Sequence, residues 1–127
     1  MPDKEKRDPV SDEVIGAAID VHRELGPGLL EATYEECLCY ELSKRNVSFE
    51  LQVSLPVRYK NVLLNCKYRM DLVVDKNLVV EIKAVDKLMK LHEAQLLTYL
   101  KLSGHKKGLL LNFNSRLLKF GIKRMVL

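Results

Sequence analysis

The sequence predicts a single α/β (α+β) domain in which helices cover a β-sheet. Three observations lead to this prediction. The chain has 127 residues, the usual size of one domain. Helical spacing of apolar residues dominates its first third, and strand-like patterns follow. No low-complexity tract or linker divides the chain, so its elements should pack on one another.

The first helix is expected to follow a flexible lead-in. Residues 1–10 are interpreted as that lead-in, and residues 11–127 as the domain. Ser11 or Asp12 is a suitable N-cap, since both side chains can accept a hydrogen bond from a backbone N–H group. Apolar residues at helical spacing then form the buried side of the helix: Val14, Ala18, Val21 and Leu25.

A Gly-Pro-Gly motif at residues 26–28 separates the first helix from the second. Gly26 suits a left-handed C-cap, and Pro27 cannot continue a helix. The second helix is expected to run from about Leu30 to Lys44.

Strand patterns fill the middle of the chain, with turns near Lys60-Asn61 and residues 75–77. A third helix is expected between an N-cap at Asp86 and a C-cap at Gly104. The run "KKGLLLNF" is nearly all apolar, as in a strand buried on both faces, and "LLKFGIKRMVL" alternates like an edge strand. The predicted order is α-α-β-β-β-β-α-β-β.

The segment "YRMDLVVDKNLVVEIKAV", residues 68–85, predicts a hairpin that brings two carboxylates together. With the turn at residues 75–77, residue 72 faces residue 80 and residue 71 faces residue 81. One side of the hairpin is then wholly apolar and comprises Met70, Leu72, Val74, Leu78, Val80 and Ile82. Asp71 and Glu81 lie directly opposite each other on the other side, where like charges are destabilising.

Two explanations for the opposed carboxylates stay open from these residues alone. A hard cation such as Mg²⁺ binds converging carboxylate oxygens, with water and phosphate oxygens completing its coordination. Lys83, on the same side, would then hold a water or stabilise developing negative charge. Alternatively, the hairpin has a solvated face on which Arg69 and Lys83 neutralise the two acids.

Charge is distributed unevenly along a chain whose net charge is +4. Residues 1–50 carry 12 acidic and 6 basic side chains, whereas residues 51–127 carry 5 acidic and 15 basic ones. A basic half suits a polyanion such as nucleic acid, and a solvated surface that aids solubility is the alternative.

Several classes of protein are not expected from this sequence. Three cysteines without CxxC spacing argue against a disulfide framework or a zinc site. No run approaches the roughly 18 apolar residues of a membrane span, and the N-terminus lacks the apolar region of a secretory signal. A cytoplasmic protein without a membrane partner is therefore expected.

Three motifs together resemble those of the GxxExxY protein family, a branch of the PD-(D/E)XK nuclease superfamily. They are "GLLEATY" (residues 28–34) preceded by "VHRELGP", the hairpin segment, and "AQLLTYLKLSG". The resemblance covers nearly the whole chain, from about Val14 to Met125. It implies a restriction-endonuclease-like core of order α-β-β-β-α-β, in which a mixed sheet flanked by helices carries the active site.

The resemblance also implies site residues. In that superfamily the motif's Asp and Glu bind Mg²⁺ or Mn²⁺ and its Lys assists hydrolysis, which corresponds here to Asp71, Glu81 and Lys83. The main-chain carbonyl of Ile82 is implied as a further ligand. Glu31 would match a glutamate that many members contribute from the first core helix, although a carboxylate in a first helical turn is also favoured by the helix dipole. Position 70 is Met where the motif has Pro, a change that the superfamily tolerates.

Gln95 and Tyr99 match the Q-x3-Y motif of the exonuclease-like branches. Four residues apart, they share a helix face, where Tyr99 would offer an aromatic surface to a nucleotide. The alternative is that Tyr99 packs and Gln95 binds a backbone group. His22 is a further candidate for substrate binding because it precedes the Gly-Pro-Gly motif, but a lone helical histidine is more often a packing residue.

The leading hypothesis is a metal-dependent nuclease that hydrolyses DNA or RNA. A second hypothesis is a non-catalytic module that binds nucleic acid or protein on a nuclease-like scaffold. A third is a subunit whose activity requires a protein partner. A homodimer is suggested by analogy with small nucleases of this type.

Overall fold

The computed structural model describes residues 8–127, apart from the side chains of Cys66 and Lys67. In this range the helices are α1 (Pro9–Leu25), α2 (Glu31–Lys44) and α3 (Lys90–Ser103), with a short 3-10 helix at Leu118–Gly121. The strands are β1 (Phe49–Tyr59), β2 (Val62–Val74), β3 (Leu78–Lys83), β4 (Lys107–Asn112) and β5 (Ile122–Val126). The predicted α/β (α+β) class is confirmed, and the order from α2 to β4 is the α-β-β-β-α-β core that the resemblance implies. No helix in this range has the length and apolar character of a membrane span.

The number of strands before α3 differs from the prediction. Between α2 and α3 the structure has three strands instead of four, and residues 49–59 form one continuous strand that includes Pro56. The register of β1 against β2 shifts between Leu55 and Val57, and β1 is an edge strand of the sheet. Proline is tolerated at such irregularities and edges because no ladder hydrogen bond is required of it there.

The five strands form one sheet in the order β1-β2-β3-β4-β5. β3 and β4 are parallel and are connected through α3, whereas the other neighbours are antiparallel. Five of the six residues of β4 are buried, which confirms that this strand lies between two packed layers. β5 lies at the edge, as its alternating sequence predicts.

Both faces of the sheet are covered. One face packs against α1 and α2, in a cluster that includes Leu72, Val74, Leu78, Val80 and Leu38. The other face packs against α3, in a cluster that includes Val73, Val79, Leu96 and Leu100. The second side of the β2–β3 hairpin is therefore not the solvated charged face that the sequence allowed as an alternative.

Helix α1 begins earlier than predicted. Its N-cap is Asp8, whose carboxylate accepts hydrogen bonds from the Val10 N–H at 3.2 Å and from Ser11 Oγ at 2.7 Å. Pro9 occupies the first turn, where its missing N–H has no cost. The caps predicted at Ser11 or Asp12 are wrong, and the domain includes residues 8–10. The lead-in predicted for residues 1–7 lies outside the described residues.

Helix α3 begins later than predicted, at Lys90, with Met89 as its N-cap instead of Asp86. The chain before it bends at residues 85–87 and is held by Asn112, whose Oδ1 accepts from the Val85 N–H at 3.0 Å and whose Nδ2 donates to the Val85 carbonyl at 2.8 Å. The C-terminal end is confirmed, since Gly104 has the left-handed conformation of a C-cap.

Candidate functional site

The β2–β3 hairpin has the predicted register, with Leu72 opposite Val80 and Val74 opposite Leu78. The backbone ladder ends at Leu72 and Val80, and carboxylates form the next contacts. The Asp71 N–H donates to Glu81 Oε2 at 2.8 Å, and the Ile82 N–H donates to Asp71 Oδ2 at 2.8 Å. Each acid is thus held by the backbone of the opposite strand, which fixes the two carboxylates beside each other.

The faces of β2 exchange near Asp71. Met70 is buried with Val73 in the cluster beneath α3, so its predicted place on the face of Leu72 is wrong. The neighbouring strand β1 is irregular at the same level, because Gln52 adopts φ +48° between the pairs Leu51–Leu72 and Val53–Met70. A positive φ is uncommon for a residue other than glycine and persists only where surrounding contacts hold it.

Burial makes the two carboxylates electrostatically unusual. Glu81 is only 4 % exposed. Its burial, followed by repulsion from Asp71, raises the pKa of Glu81 to about 8. Burial also raises the pKa of Asp71, although the hydrogen bond from Ile82 opposes this shift. The pair consequently favours a bound positive charge or a retained proton.

Lys83 lies two residues beyond Glu81, at the end of β3. Its Nζ donates a hydrogen bond to Gln95 Oε1 on α3 at 3.4 Å. Its positive charge also lowers the pKa of both carboxyls, so Lys83 lies near them. The structure therefore brings Lys83, Gln95 and the carboxylate pair to one place between β3 and α3.

Tyr99 lies one helical turn after Gln95 and is only 7 % exposed. Burial, followed by the nearby charges of Glu81 and Asp71, raises the pKa of Tyr99, while the neighbouring Gln95 side chain lowers it. The ring of Tyr68 lies 6.3 Å away, centroid to centroid. Most of the Tyr99 ring is therefore buried by packing, on the side of the site that faces the core beneath α3.

Glu31 lies in the first turn of α2 and reaches the chain that follows β3. Its Oε2 accepts a hydrogen bond from the Ala84 N–H at 3.1 Å. Its charge contributes to raising the pKa of Asp71, although less than burial does. Glu31 thus faces the same site while connecting α2 to the end of β3.

Two residues of the site were not identified from the sequence. Gln52 Nε2 donates to Glu35 Oε1 at 2.8 Å and makes a longer hydrogen bond to Asp71 Oδ1 at 3.4 Å. Burial, followed by repulsion from Asp71, raises the pKa of Glu35. Spacing of four residues from Glu31 on α2 is a signal that would have found Glu35. No local pattern marks Gln52, since its role comes from its unusual backbone conformation.

Tyr34 fixes the loop that precedes Glu31. Its hydroxyl donates to the Gly26 carbonyl at 2.6 Å and accepts from the Leu29 N–H at 3.1 Å, while its ring stacks on Phe113 at 4.6 Å. Gly28, in the same loop, has φ +105°, which glycine adopts without strain. In the GxxExxY pattern, Gly28 therefore allows the turn, Glu31 accepts a hydrogen bond from the Ala84 N–H, and Tyr34 anchors the loop.

His22 lies in the last turn of α1 and contacts the chain that follows β4. It is 7 % exposed, its Nε2 lies 2.8 Å from the Ser115 carbonyl oxygen, and its ring is 6.5 Å from that of Phe113. These contacts support the packing interpretation of His22 instead of contact with a substrate.

The donor atoms of the carboxylate pair suit a divalent cation. Within residues 8–127, no three or more His, Cys, Asp or Glu side chains are grouped as metal ligands. The donors nevertheless fit a hard cation such as Mg²⁺, which often uses one or two carboxylates and takes its other ligands from water and phosphate. Asp71 and Glu81 each use one oxygen to accept a hydrogen bond from a backbone N–H. A bound positive charge would offset the electrostatic cost of their burial and mutual repulsion.

Comparison with known proteins agrees with this geometry. A family model described as the PD-(D/E)XK nuclease superfamily matches residues 8–125. Neither the curated proteins nor the solved structures gave a significant match.

Proposed function

Because this chain belongs to the PD-(D/E)XK nuclease superfamily, we propose that it is a metal-dependent nuclease that hydrolyses phosphodiester bonds of DNA or RNA. One observation carries the proposal. Asp71 and Glu81 are held side by side by exchanged hydrogen bonds, and Lys83, bonded to Gln95, lies close enough to lower the pKa of both carboxyls. Opposed carboxylates, of which Glu81 is buried, destabilise a purely structural hairpin, whereas they suit a cation-binding site.

The proposed cofactor is Mg²⁺ or Mn²⁺. Asp71 and Glu81 would hold it, with the main-chain carbonyl of Ile82 as a further ligand and Glu31 as a third carboxylate. The hydrogen bond from the Ile82 N–H to Asp71 supports this assignment, because in a β-strand the N–H and C=O of one residue point to the same side, here toward Asp71. A divalent cation at this place supplies positive charge for the phosphate of the substrate.

The remaining chemistry belongs to side chains of this chain. Lys83 would donate a hydrogen bond to the attacking water or to a phosphate oxygen, where its charge stabilises the transition state. Gln95 accepts from Lys83 and would orient both Lys83 and the substrate strand. Tyr99 supports Gln95 from the buried side of α3, since little of its ring is exposed for stacking.

Membership of the GxxExxY branch is part of the same proposal. Its support is the structure around Gly28, Glu31 and Tyr34, where each residue has a contact or conformation that other residue types would not reproduce. A cytoplasmic location, a homodimer and a protein partner were also expected, and co-purification and size-exclusion chromatography would test the last two.

A non-catalytic module that binds nucleic acid or protein is the second candidate. The excess of basic side chains in residues 51–127 would serve such a module equally well. Such a module would bind nucleic acid equally well in EDTA and would cleave no substrate with any metal.

A cleavage panel separates these candidates. Single- and double-stranded DNA and RNA are incubated with wild-type protein in Mg²⁺, Mn²⁺ or EDTA, beside Lys83→Ala and the control Lys44→Ala at the C-terminal end of α2. We expect metal-dependent cleavage by wild type and Lys44→Ala, and its loss in Lys83→Ala with the fold retained. Equal Mg²⁺-dependent cleavage by Lys83→Ala would refute the assignment of Lys83.

A further inference from the structure

The β1–β2 hairpin extends past the rest of the sheet. β2 has 13 residues, but β3 has only 6 and pairs with β2 only at residues 72–74. Leu55 and Met70 are the last buried residues of the two strands. Beyond them, residues 56–69 form a two-stranded projection that we call the arm, in which Val57 is partly buried and every other described side chain is exposed. The arm reaches roughly 13 Å past Leu55 at the usual rise of a strand.

The surface of the arm combines positive charge with apolar side chains. Residues 51–70 contain four basic residues and no acidic residue: Arg58, Lys60, Lys67 and Arg69. Large apolar side chains at the tip are unusually exposed, with Tyr59 at 60 %, Val62 at 57 % and Leu63 at 59 %. An isolated two-stranded ribbon is only marginally stable, and exposed apolar patches mark interaction sites. Such a projection is therefore typical of a binding element.

The arm leads directly into the candidate site. Arg69 is two residues from Asp71 on β2, so the strand that forms the arm also carries the first carboxylate. At its base, the exposed Tyr68 ring lies 6.3 Å from the ring of Tyr99, which lies one helical turn after Gln95 on α3. A ligand lying along the arm would therefore extend to the carboxylate pair.

We propose that the arm enters the major groove of double-stranded DNA and thereby directs the duplex to the site. This inference rests on the proposed nuclease function and specifies its substrate class. The major groove of B-form DNA is about 12 Å wide and about 8.5 Å deep and accepts a two-stranded β-ribbon. The major groove of an RNA duplex is too narrow for side chains to read, so the geometry selects DNA over RNA.

Within the arm, the basic side chains contact phosphates and the apolar side chains contact bases. Arg58, Lys60 and Arg69 neutralise phosphates along the groove, since the arm has no acid to pair with them. Val62 and Leu63 at the tip contact base edges, where thymine methyl groups offer apolar surface. The same positive charges oppose the pairing of two arms from two copies of the chain, which would place cations against cations.

The test measures binding of a short labelled DNA duplex in EDTA, where no cleavage occurs, as a function of salt. The arm variant is Arg58→Gln/Lys60→Asn, in which Asn suits the φ of +56° at position 60. A second variant, Val62→Ser/Leu63→Ser, changes the tip alone. The control, Arg23→Gln/Lys44→Gln, removes the same charge from the groove between α1 and α2. Circular dichroism establishes that each variant is folded.

We expect the arm variant to bind the DNA duplex more weakly and to lower the slope of log affinity against log salt by about 2, one unit for each lost phosphate contact. The tip variant should bind DNA more weakly with an unchanged slope, and the control should equal wild type. Wild type should prefer the DNA duplex to an RNA duplex of the same sequence.

Different outcomes contradict the proposed role of the arm and the proposed nuclease function. Wild-type cleavage of DNA together with an unchanged affinity and slope in the arm variant overturns the role of the arm and leaves the nuclease function standing. Arm-dependent DNA binding without cleavage in any metal supports the arm and contradicts the nuclease. A changed oligomeric state of the arm variant, with unchanged DNA affinity, overturns the proposal and assigns the arm to self-association.

Discussion

Asp71 and Glu81 each accept a hydrogen bond from the strand of the other, at 2.8 Å in both directions. The exchange replaces the next rung of the β2–β3 ladder, which ends at Leu72 and Val80. Two backbone donors therefore stabilise the carboxylates at a place where burial and repulsion disfavour their charge. The balance leaves Glu81 mostly protonated at physiological pH.

Folding stability without metal should decrease from about pH 5 to about pH 8. The pKa of Glu81 is raised to about 8 in the folded protein, so between these pH values the folded state retains a proton that the unfolded state has lost. Each pKa unit corresponds to about 1.4 kcal/mol of stability. Thermal unfolding in EDTA at several pH values should show a falling melting temperature for wild type and a flatter profile for Glu81→Gln. Parallel profiles, with Glu24→Gln as an exposed control, would contradict the raised pKa.

Divalent cations should stabilise the ionised pair. At pH 8, Mg²⁺ or Mn²⁺ at about ten times its dissociation constant should add about 1.4 kcal/mol to the free energy of unfolding. Asp71→Asn and Glu81→Gln should lose this gain, because each removes one carboxylate from the pair. Differential scanning fluorimetry over a metal titration measures the effect. An equal gain in wild type and both variants would place the cation elsewhere.

Gln52→Gly should relieve backbone strain in the folded protein but weaken metal binding. Glycine adopts the φ of +48° without strain, which relieves on the order of 1 kcal/mol. The same change removes the amide that connects Glu35 to Asp71, so the pKa of Asp71 should rise and metal should bind more weakly. Chemical denaturation and metal titration of the same sample test both effects. Metal affinity equal to that of wild type would show that Gln52 does not position Asp71.

Tyr34→Phe should destabilise the fold by about 1–3 kcal/mol, because the Leu29 N–H and the Gly26 carbonyl lose their shared partner. The ring stacked on Phe113 is retained, so the effect isolates the hydroxyl. Urea denaturation measures the change, with Tyr40→Phe as an exposed control on the same helix. No loss of stability relative to the control would mean that the loop does not depend on this anchor.

The features predictable from the sequence are those set by local periodicity. Alternating apolar residues fixed the register of Leu72 with Val80, because a slip by one residue would have mixed the two faces. A single glycine at position 104 was sufficient to predict the end of α3. That register predicted Asp71 beside Glu81, and the exchanged hydrogen bonds of the two carboxylates hold them there.

The features that were missed depend on residues distant in the chain or on unusual backbone angles. Asn112 holds Val85 and thereby delays α3, a contact that no pattern near Asp86 indicates. The positive φ of Gln52 accompanies the exchange of faces that buries Met70 beneath α3, and a period of two residues cannot anticipate it.

Crystals soaked in Mn²⁺ and measured for anomalous scattering test the central claim most directly. The account predicts one anomalous peak within coordination distance of both the Asp71 and the Glu81 carboxylates, and its loss in Glu81→Gln crystals. A Mn²⁺ peak that avoids these two side chains, or no peak at saturating Mn²⁺ with the site accessible to solvent, would contradict it.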